Sequence, residues 1–551
     1  MLSTLKITFL PENTHVHVLP GTTVLEAAGR ANIIIETPCG GKGTCGRCRV
    51  VISKGAAAPN AVEKEAISED DIAGGVRLAC QTEIMRDMII KVPAASRFLG
   101  QKILAKGVET DYVLEPSVSV DPDDPAGLLY GVAFDIGTTT IVGALLNLQS
   151  DEQITLSSRA NPQIPLGDDV IARIGHAGND GGLGQLQTLV TDCINEMVEE
   201  MCGRAGIEID SVYEVTLVGN TTMNHIILGI DPTPLAHAPY DAVRLESKTS
   251  KPEELGIRIR PTGQIYTMAN IAGYVGGDTV GVILASGMKD FDGLQLALDI
   301  GTNGELVLGG KGRLVACSTA AGPAFEGARI KHGMRAAKGA IEKVIIDGDV
   351  RLNVIGSHKP RGMCGTGVID AIAALLDLGI IESTGRMLPP DELPGTLSDA
   401  VRARVCEDDD GKVCFALATA EESDAAGPVC LTQRDVREVQ LGKGAIAAGT
   451  NIILSEYGAT VDDLDRVLLA GAFGNFIRAR SALRVGLLPA VPQHKVEFIG
   501  NAAGTGSKMV LAGKSCREEA EAIAEETEYI ELAGWPDFQM EFAAAMMFPE
   551  A

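Results

Sequence analysis

The chain has 551 residues, a formal net charge of −26, 45% hydrophobic residues, only 4% aromatic ones and 64 glycines. That length predicts three or more domains, each with its own core, and the acidity argues against nucleic acid or an anionic membrane as partner. No apolar run reaches the roughly 18 residues of a membrane span, no export signal is legible, and twelve cysteines in such a chain predict a reducing cytoplasm, safest in an anaerobe.

The stretches "LKITFL" (5–10) and "HVHVLP" (15–20) alternate as two strands about the turn "PEN", and "TTVLEAAGRAN" (22–32) reads as a helix capped by Thr22 or Thr23. "CRVVIS" (48–53) and "MIIKVP" (88–93) read as two more strands. Between them, "ETPCGGKGTCGRCRV" (36–50) places Cys39, Cys45 and Cys48 in a C-x5-C-x2-C spacing, and "RLACQT" supplies Cys80 as a fourth thiol. Four soft thiolates suit an iron-sulfur rhomb, and Gly40, Gly41, Gly43 and Gly46 free the backbone to aim amides at the sulfurs. A structural zinc site and incidental buried cysteines are the alternatives, although zinc modules usually show two close cysteine pairs and Cys80 stands alone. The order of elements over residues 1–94 resembles the beta-grasp [2Fe-2S] ferredoxins, and five residues between the first two cysteines match their adrenodoxin-like branch. This segment holds 10 Lys/Arg against 10 Asp/Glu, so the acidity belongs to the remainder.

Residues 95–128 mix Pro, Asp, Ser and Gly with little periodicity and read as a linker, either a swinging tether or a strand-like wrap fixed to the surface. A duplication follows. "GVAFDIGTTTIVGALLN" (131–147) returns as "QLALDIGTNGELVLGGK" (295–311), "VTLVGNTTMNH" (215–225) as "RVLLAGAFGNF" (466–476), and "ANIAGYVGGD" (269–278) as "GNAAGTGSKM" (500–509). Three matched elements in one order predict two homologous halves, 129–293 and 294–551.

In the first half, Gly137 with Thr138 and Thr139 offers backbone amides and hydroxyls to phosphate oxygens, while Asp135 at a strand end can hold hydrated Mg2+. Asp299, Gly301, Thr302 and Asn303 offer the same from the other side, and Gly471 and Gly474 clear a face for adenine. The pair of hairpins with this turn resembles the acetate kinase, sugar kinase, Hsp70 and actin superfamily, whose two ribonuclease H-like halves close over ATP. The resemblance makes 134–140 and 299–305 the phosphate loops, 468–475 the adenosine motif, and 269–278 and 500–509 the connecting helices. Asn270 stands where that pattern has an acidic residue, so Asp278 or Glu326 is the candidate for positioning the attacking water; Glu326, following Pro323, also reads as a helix-end residue.

The fold class expected is therefore α/β: a beta-grasp [2Fe-2S] domain, a linker, and a duplicated ribonuclease H-like ATPase. An iron-sulfur domain adds nothing to a kinase, but ATP hydrolysis can drive an electron uphill. With "VGNTTMNH", "STAAGPAFEG" (318–327) and "GMCGTGVID" (362–370), the whole chain resembles the reductive activators of corrinoid-dependent enzymes. That resemblance implies one-electron reduction of an inactive cobalt(II) corrinoid protein of a methyltransferase system, with ATP and Mg2+, an unidentified low-potential electron donor, and a homodimer. The alternatives are activation of another low-potential enzyme and a redox sensor with an ATP-binding module. Cys406, Cys414 and Cys430 lie in an acidic Pro/Gly-bearing stretch near 385–430, read as an ordinary insertion rather than a second cluster because no C-x2-C pair is present. Cys364 reads as a small buried residue.

Overall fold

In the computed structural model, the structure describes residues 4–10, 14–31, 33, 35, 43, 48–93, 112–122, 127–167, 169–301, 303–408, 410–471 and 477–550. The N-terminal sheet has the order β2-β1-β5-β3-β4, built from β1 (Leu5–Leu10), β2 (Thr14–Val18), β3 (Arg49–Lys54), β4 (Val76–Leu78) and β5 (Met88–Lys91). Strand β1 pairs antiparallel with β2 and parallel with β5, and alternation sends Ile7, Phe9, Val16, Val18, Val50, Ile52, Met88 and Ile90 into one core. Helix α1 (Val24–Arg30) opens on a reciprocal cap: Glu26 N donates to Thr23 Oγ1 at 3.2 Å, and Thr23 N to Glu26 Oε2 at 3.0 Å. Thr23 is thus the cap of the two threonines proposed.

The linker is described only from residue 112 to 122 and from 127 onward. There it is a wrap: Glu115 N donates to Ala512 O at 2.9 Å, Lys514 N to Glu115 O at 2.8 Å, and Val118 and Val120 pack on the hydrophobic cluster that contains Leu511. Residues 95–111 lie outside the described residues.

The next sheet contains β6 (Tyr130–Ile136), β7 (Thr140–Asn147), β8 (Glu152–Ala160), β9 (Val212–Gly219), β10 (Lys248–Ser250) and β11 (Gln264–Thr267), in the order β8-β7-β6-β9-β11-β10. Three antiparallel strands come first, and β9 and β11 then run parallel to β6. The C-terminal sheet repeats this plan with β12 (Gln295–Ile300), β13 (Gly304–Gly310), β14 (Arg313–Thr319), β21 (Arg466–Ala470) and β22 (Val496–Gly500), plus an edge strand β23 (Glu528–Tyr529). Parallel strands buried on both faces explain the near-continuous apolar runs "YGVAF" and "RVLLA".

Helices α2 (Val170–Ala177), α3 (Gly182–Ala205), α4 (Thr221–Ile227) and α5 (Gly277–Ser286) accompany the first sheet. Helix α7 (Gln433–Tyr457) packs on β13 and β14, while α8 (Ala502–Ala512) returns to the first sheet. There Thr216 Oγ1 donates to Ser507 O at 2.9 Å, and Ser507 Oγ to Phe134 O at 3.1 Å. A shared core of Val280, Ile283, Leu284, Ala297, Val307 and Val510 joins α5 and α8 to the second sheet.

The insertion is larger than the 385–430 expected from composition. Between β14 and α7, residues 320–432 hold two three-stranded sheets: β15 (Ala340–Asp347), β16 (Asp349–Val354) and β17 (Gly362–Met363), followed by α6 (Gly365–Asp377), and then β18 (Val405–Glu407), β19 (Val413–Ala418) and β20 (Val429–Thr432). Only the later part is acidic and Pro-rich. The earlier part buries Ile341, Val344, Met363 and Ile369 in the same core as the second sheet, so its sequence reads like any α/β domain. Lys343 of β15 also meets Glu26 of α1 at 3.4 Å, touching the N-terminal domain to this insertion. Among the described residues, no helix is long and apolar enough to cross a membrane.

Candidate functional site

The two Asp-Ile-Gly hairpins face one another across the junction of the halves. In the first, Gly137 N donates to Thr140 O at 3.0 Å and closes a four-residue turn between Ile136 and Ile141. Three side chains hold that turn. Asn161 Nδ2 donates to Gly137 O at 2.9 Å, Asn220 Nδ2 to Thr138 Oγ1 at 3.0 Å, and the buried Arg173 guanidinium to Thr138 O. Asn220 also caps α4 through Met223 N at 3.0 Å, which accounts for the Asn in "VGNTTMNH". Sequence reasoning missed Arg173, whose helix carries no motif. Thr139 O accepts from Asn161 N at 2.9 Å, so all three threonines of the turn, Thr138, Thr139 and Thr140, are held by their backbone carbonyls.

The second hairpin is one residue shorter. Gly301 N donates to Asn303 O at 2.9 Å, and Ile300 pairs with Gly304. The register therefore sets Asp135 opposite Val142 but Asp299 opposite Glu305. Glu305 was also missed; its only signal is a carboxylate among the apolar residues of a repeated strand. Thr302 lies outside the described residues.

Asp135, Asp278, Asp299 and Glu305 converge, each half-buried. Burial, then the charge of Asp278, pushes Asp135 up to about 7, against a hydrogen bond from the Asn501 side chain. Burial and Asp278 likewise push Asp299 up to about 7. Asp278 itself rises to about 6 through burial, opposed by Thr279 N donating to its Oδ1 at 2.8 Å. Glu305 is driven well above the usual carboxylate range by burial and by Asp278 and Asp299. The charge of Asp278 acts on the other three, and a divalent cation placed among these carboxylates would relieve both the repulsion and the desolvation. Thus Asp278 joins Asp135 and Asp299. Glu326 sits on a separate turn, Pro323–Glu326, packed on α6 and α7, and is not among the groups that shift these carboxylates. Asn270 has a framework role: its Oδ1 accepts from Asn224 Nδ2 at 2.7 Å and Gly277 N at 3.1 Å, fixing the start of α5.

Gly471 follows β21 with φ +78°, and a Cβ there would strike Asp299 Oδ1, so only glycine lets the turn pass over the carboxylate. Gly474 lies outside the described residues.

Of the four predicted thiol ligands, Cys39 and Cys45 lie outside the described residues. Cys48 and Cys80 converge, with their sulfurs 3.3 Å apart, close enough to ligate one iron, and Gln81 Nε2 donates to Cys80 Sγ at 3.6 Å. Buried Glu63 steadies the Cys80 segment from behind, accepting from Leu78 N at 3.0 Å and Thr82 Oγ1 at 2.8 Å. The donor chemistry and this convergence fit an iron-sulfur group.

Comparison with known proteins identifies both modules. Residues 7–85 match the family model of the 2Fe-2S iron-sulfur cluster binding domain, 130–290 that of the RACo middle region, and 293–551 that of the C-terminal domain of RACo, the ASKHA domain. The chain is 36% identical over 422 residues to the corrinoid activation enzyme RamQ of Eubacterium limosum, covering 76% of this chain and 70% of that protein. It is 24% identical over 416 residues to the [Co(II) methylated amine-specific corrinoid protein] reductase of Methanosarcina barkeri, covering 70% of each. A solved structure described as a reductive activator for a corrinoid, iron-sulfur protein superposes with a TM-score of 0.69 at 32% identity, over 99% of this chain and 98% of that one. From its 2Fe-2S domain to its ASKHA domain, the chain belongs to the RACo family.

Proposed function

We propose that the protein is an ATP-dependent reductive activator that passes one electron from its [2Fe-2S] cluster to the cobalt(II) of an inactive corrinoid protein, regenerating cobalt(I) for methyl transfer. The observation that carries this reading is the union, in one chain, of paired cluster thiols and a four-carboxylate junction between ASKHA halves. Cys39, Cys45, Cys48 and Cys80 are assigned to the cluster, which supplies one-electron chemistry. Asp135, Asp278, Asp299 and Glu305 are assigned to hydrated Mg2+; Gly137, Thr138, Thr139, Gly301, Thr302 and Asn303 to the phosphates; and Gly471 and Gly474 to the adenosine. Asp278 is the better candidate for orienting the attacking water, and Glu326 the second. The proposed setting is the cytoplasm, with a low-potential donor and a homodimer.

Coupling to ATP has an energetic reason. Plant-type [2Fe-2S] centres sit near roughly −400 mV. For an acceptor about 100 mV lower, one electron moves uphill by about 2.3 kcal/mol, near a fiftyfold disadvantage at equilibrium. Closure of the two halves on Mg2+ and nucleotide is work available to offset that gap.

The test follows cobalt absorbance anaerobically in a cognate corrinoid protein, with a reductant no stronger than the cluster. Conversion is expected only with hydrolysable Mg-ATP. Equal conversion without ATP would leave a tethered electron carrier.

A further inference from the structure

Strand pairing in the insertion gathers three thiols that sequence spacing keeps apart. Cys406 of β18 lies directly opposite Cys414 of β19, and Cys430 of β20 opposite Ala416, two residues along β19 on the same face as Cys414. The sulfurs of Cys406 and Cys414 are 3.2 Å apart, and all three sulfurs lie within 4.8 Å of one another. The two faces of this sheet differ in kind. Phe415, Leu417 and Leu431 point into the main core of the second half, while Cys414, Ala416, Cys430 and the half-exposed Cys406 form a small cluster of their own. A face meant only for packing would carry larger apolar side chains than one alanine and three cysteines.

We propose that Cys406, Cys414 and Cys430 are a second metal site, separate from the iron-sulfur ligands, that holds one thiophilic divalent cation, Zn2+, on three thiolates with water in the fourth position. Zinc-thiolate bonds of about 2.3 Å on a tetrahedron set the sulfurs roughly 3.8 Å apart. The Cys406–Cys414 pair at 3.2 Å would open by about 0.6 Å to reach that spacing, and the distances to Cys430, under 4.8 Å, would close by about 1 Å at most. The half-exposed Cys406 marks the side open to water and to metal entry. Three thiolates on Zn2+ leave one net negative charge, and Lys331 lies within electrostatic reach of Cys430 to offset it. Binding releases the thiol protons as the metal enters; no electron is exchanged. Cross-linking three strands, the ion would fasten the β18–β20 sheet to the start of α7, since Thr432 ends β20 and caps that helix.

The test uses the full chain, purified anaerobically with its iron in place, exposed to a slight excess of Zn2+ and desalted. Expected is one zinc per chain beside an unchanged iron content, with a zinc-edge X-ray absorption spectrum showing three sulfurs at about 2.3 Å. The Cys414→Ser and Cys430→Ser variants should each weaken zinc retention by at least the roughly tenfold that even an outer-shell partner is worth, without changing iron content or ATP hydrolysis. The absorption spectrum of the unaltered protein stands even if a variant does not fold. Zinc that enters only as iron leaves, zinc held equally by Cys430→Ser, or a Cys406–Cys414 disulfide formed with no zinc uptake would each overturn the proposal.

Discussion

Gly281 of α5 and Gly506 of α8 meet backbone to backbone where the two helices cross: a Cβ on Gly506 would run into Gly281, and one on Gly281 would lie 2.9 Å from Ala503 O. The contact joins the halves near their chemistry. Asp278 lies one turn before Gly281, and Asn501, whose side chain bonds Asp135, caps the helix that carries Gly506. The Gly506→Ala variant should therefore destabilise the chain by about 1–3 kcal/mol and slow ATP hydrolysis as Asp278 and Asn501 are pushed apart. The helical control Gly203→Ala, with open space at its Cβ, should gain about 0.4–1 kcal/mol. Urea unfolding of both variants checks the pair, since helix propensity cancels between them.

Substitution at the phosphate hairpins should separate the two modules. Asp135→Ala and Asp299→Ala should abolish ATP hydrolysis and leave the cluster absorbance intact. Asn220→Ala removes the hydrogen bond to Thr138 and the cap of α4 together. It should lower stability by about 1 kcal/mol and raise KM for ATP more than it lowers kcat, because Thr138 is held for binding. Normal hydrolysis in both aspartate variants would move the phosphate site elsewhere.

Proton competition should be visible at this site. The folded-state pKa values of Asp135 and Asp299, about 7, and of Asp278, about 6, lie above the unfolded carboxylate range. Their contribution to stability is therefore fully present below pH ~4 and is lost as pH rises through 6 to 7. Without metal, Asp135→Asn should flatten that loss and be more stable than the parent at pH 8. Mg2+ needs the ionised carboxylates, so its affinity should rise from pH 6 to pH 8, with protons released on binding. Calorimetry in buffers of different ionisation enthalpy reads that release directly.

The duplicated architecture was legible because each half repeats an apolar strand, an Asp-Ile-Gly turn and a glycine-bearing helix start at matching offsets. That pattern singled out Asp135 and Asp299, while Asp278 came only as one of two candidates, with Glu326, for the carboxylate missing at Asn270. Glu305 and Arg173 were not found, since register and a buried hydrogen-bond network bring them to the site, and neither leaves a local spacing. The three insertion cysteines show the same limit. Their 7- and 15-residue gaps look unrelated until antiparallel pairing sets them side by side. Composition marked the acidic end of the insertion and passed over β15–β17, whose inward residues Ile341, Val344, Val350 and Met363 join the core of the second half and whose mixed charges look like any α/β strand.

Each of Cys48→Ser and Cys80→Ser should remove the iron and the red-brown colour while ATP hydrolysis persists. The ligand thiols stand in a core of their own, with Ile7, Phe9, Val50 and Leu78. Iron and labile sulfide analysis, expected near two of each per chain, checks this. A colourless parent protein carrying zinc at these four thiols would reject the cluster.

Severing the chain between the modules should destroy activation without unfolding either part. Residues 112–122 belong physically to the ATPase, because Glu115 is clamped between Ala512 and Lys514 and Val118 and Val120 are packed on its surface. A cut near residue 105 therefore leaves that wrap intact and frees residues 1–94. The Glu26–Lys343 contact alone is too weak to hold the fragment in place, since it is a single pair at 3.4 Å whose carboxylate is exposed to water, and such pairs are worth about 1 kcal/mol or less. The larger fragment should hydrolyse ATP at the parent rate, and the smaller should accept one electron, yet their equimolar mixture at micromolar concentration should reduce the corrinoid protein far more slowly than the intact chain. Tethering supplies a millimolar effective concentration, so raising the fragments toward millimolar should recover activity. A cut placed at residue 117, within the wrap, should in addition destabilise the ATPase. Parent-level activation by the dilute mixture would show that the modules find each other without the tether and that the linker is dispensable.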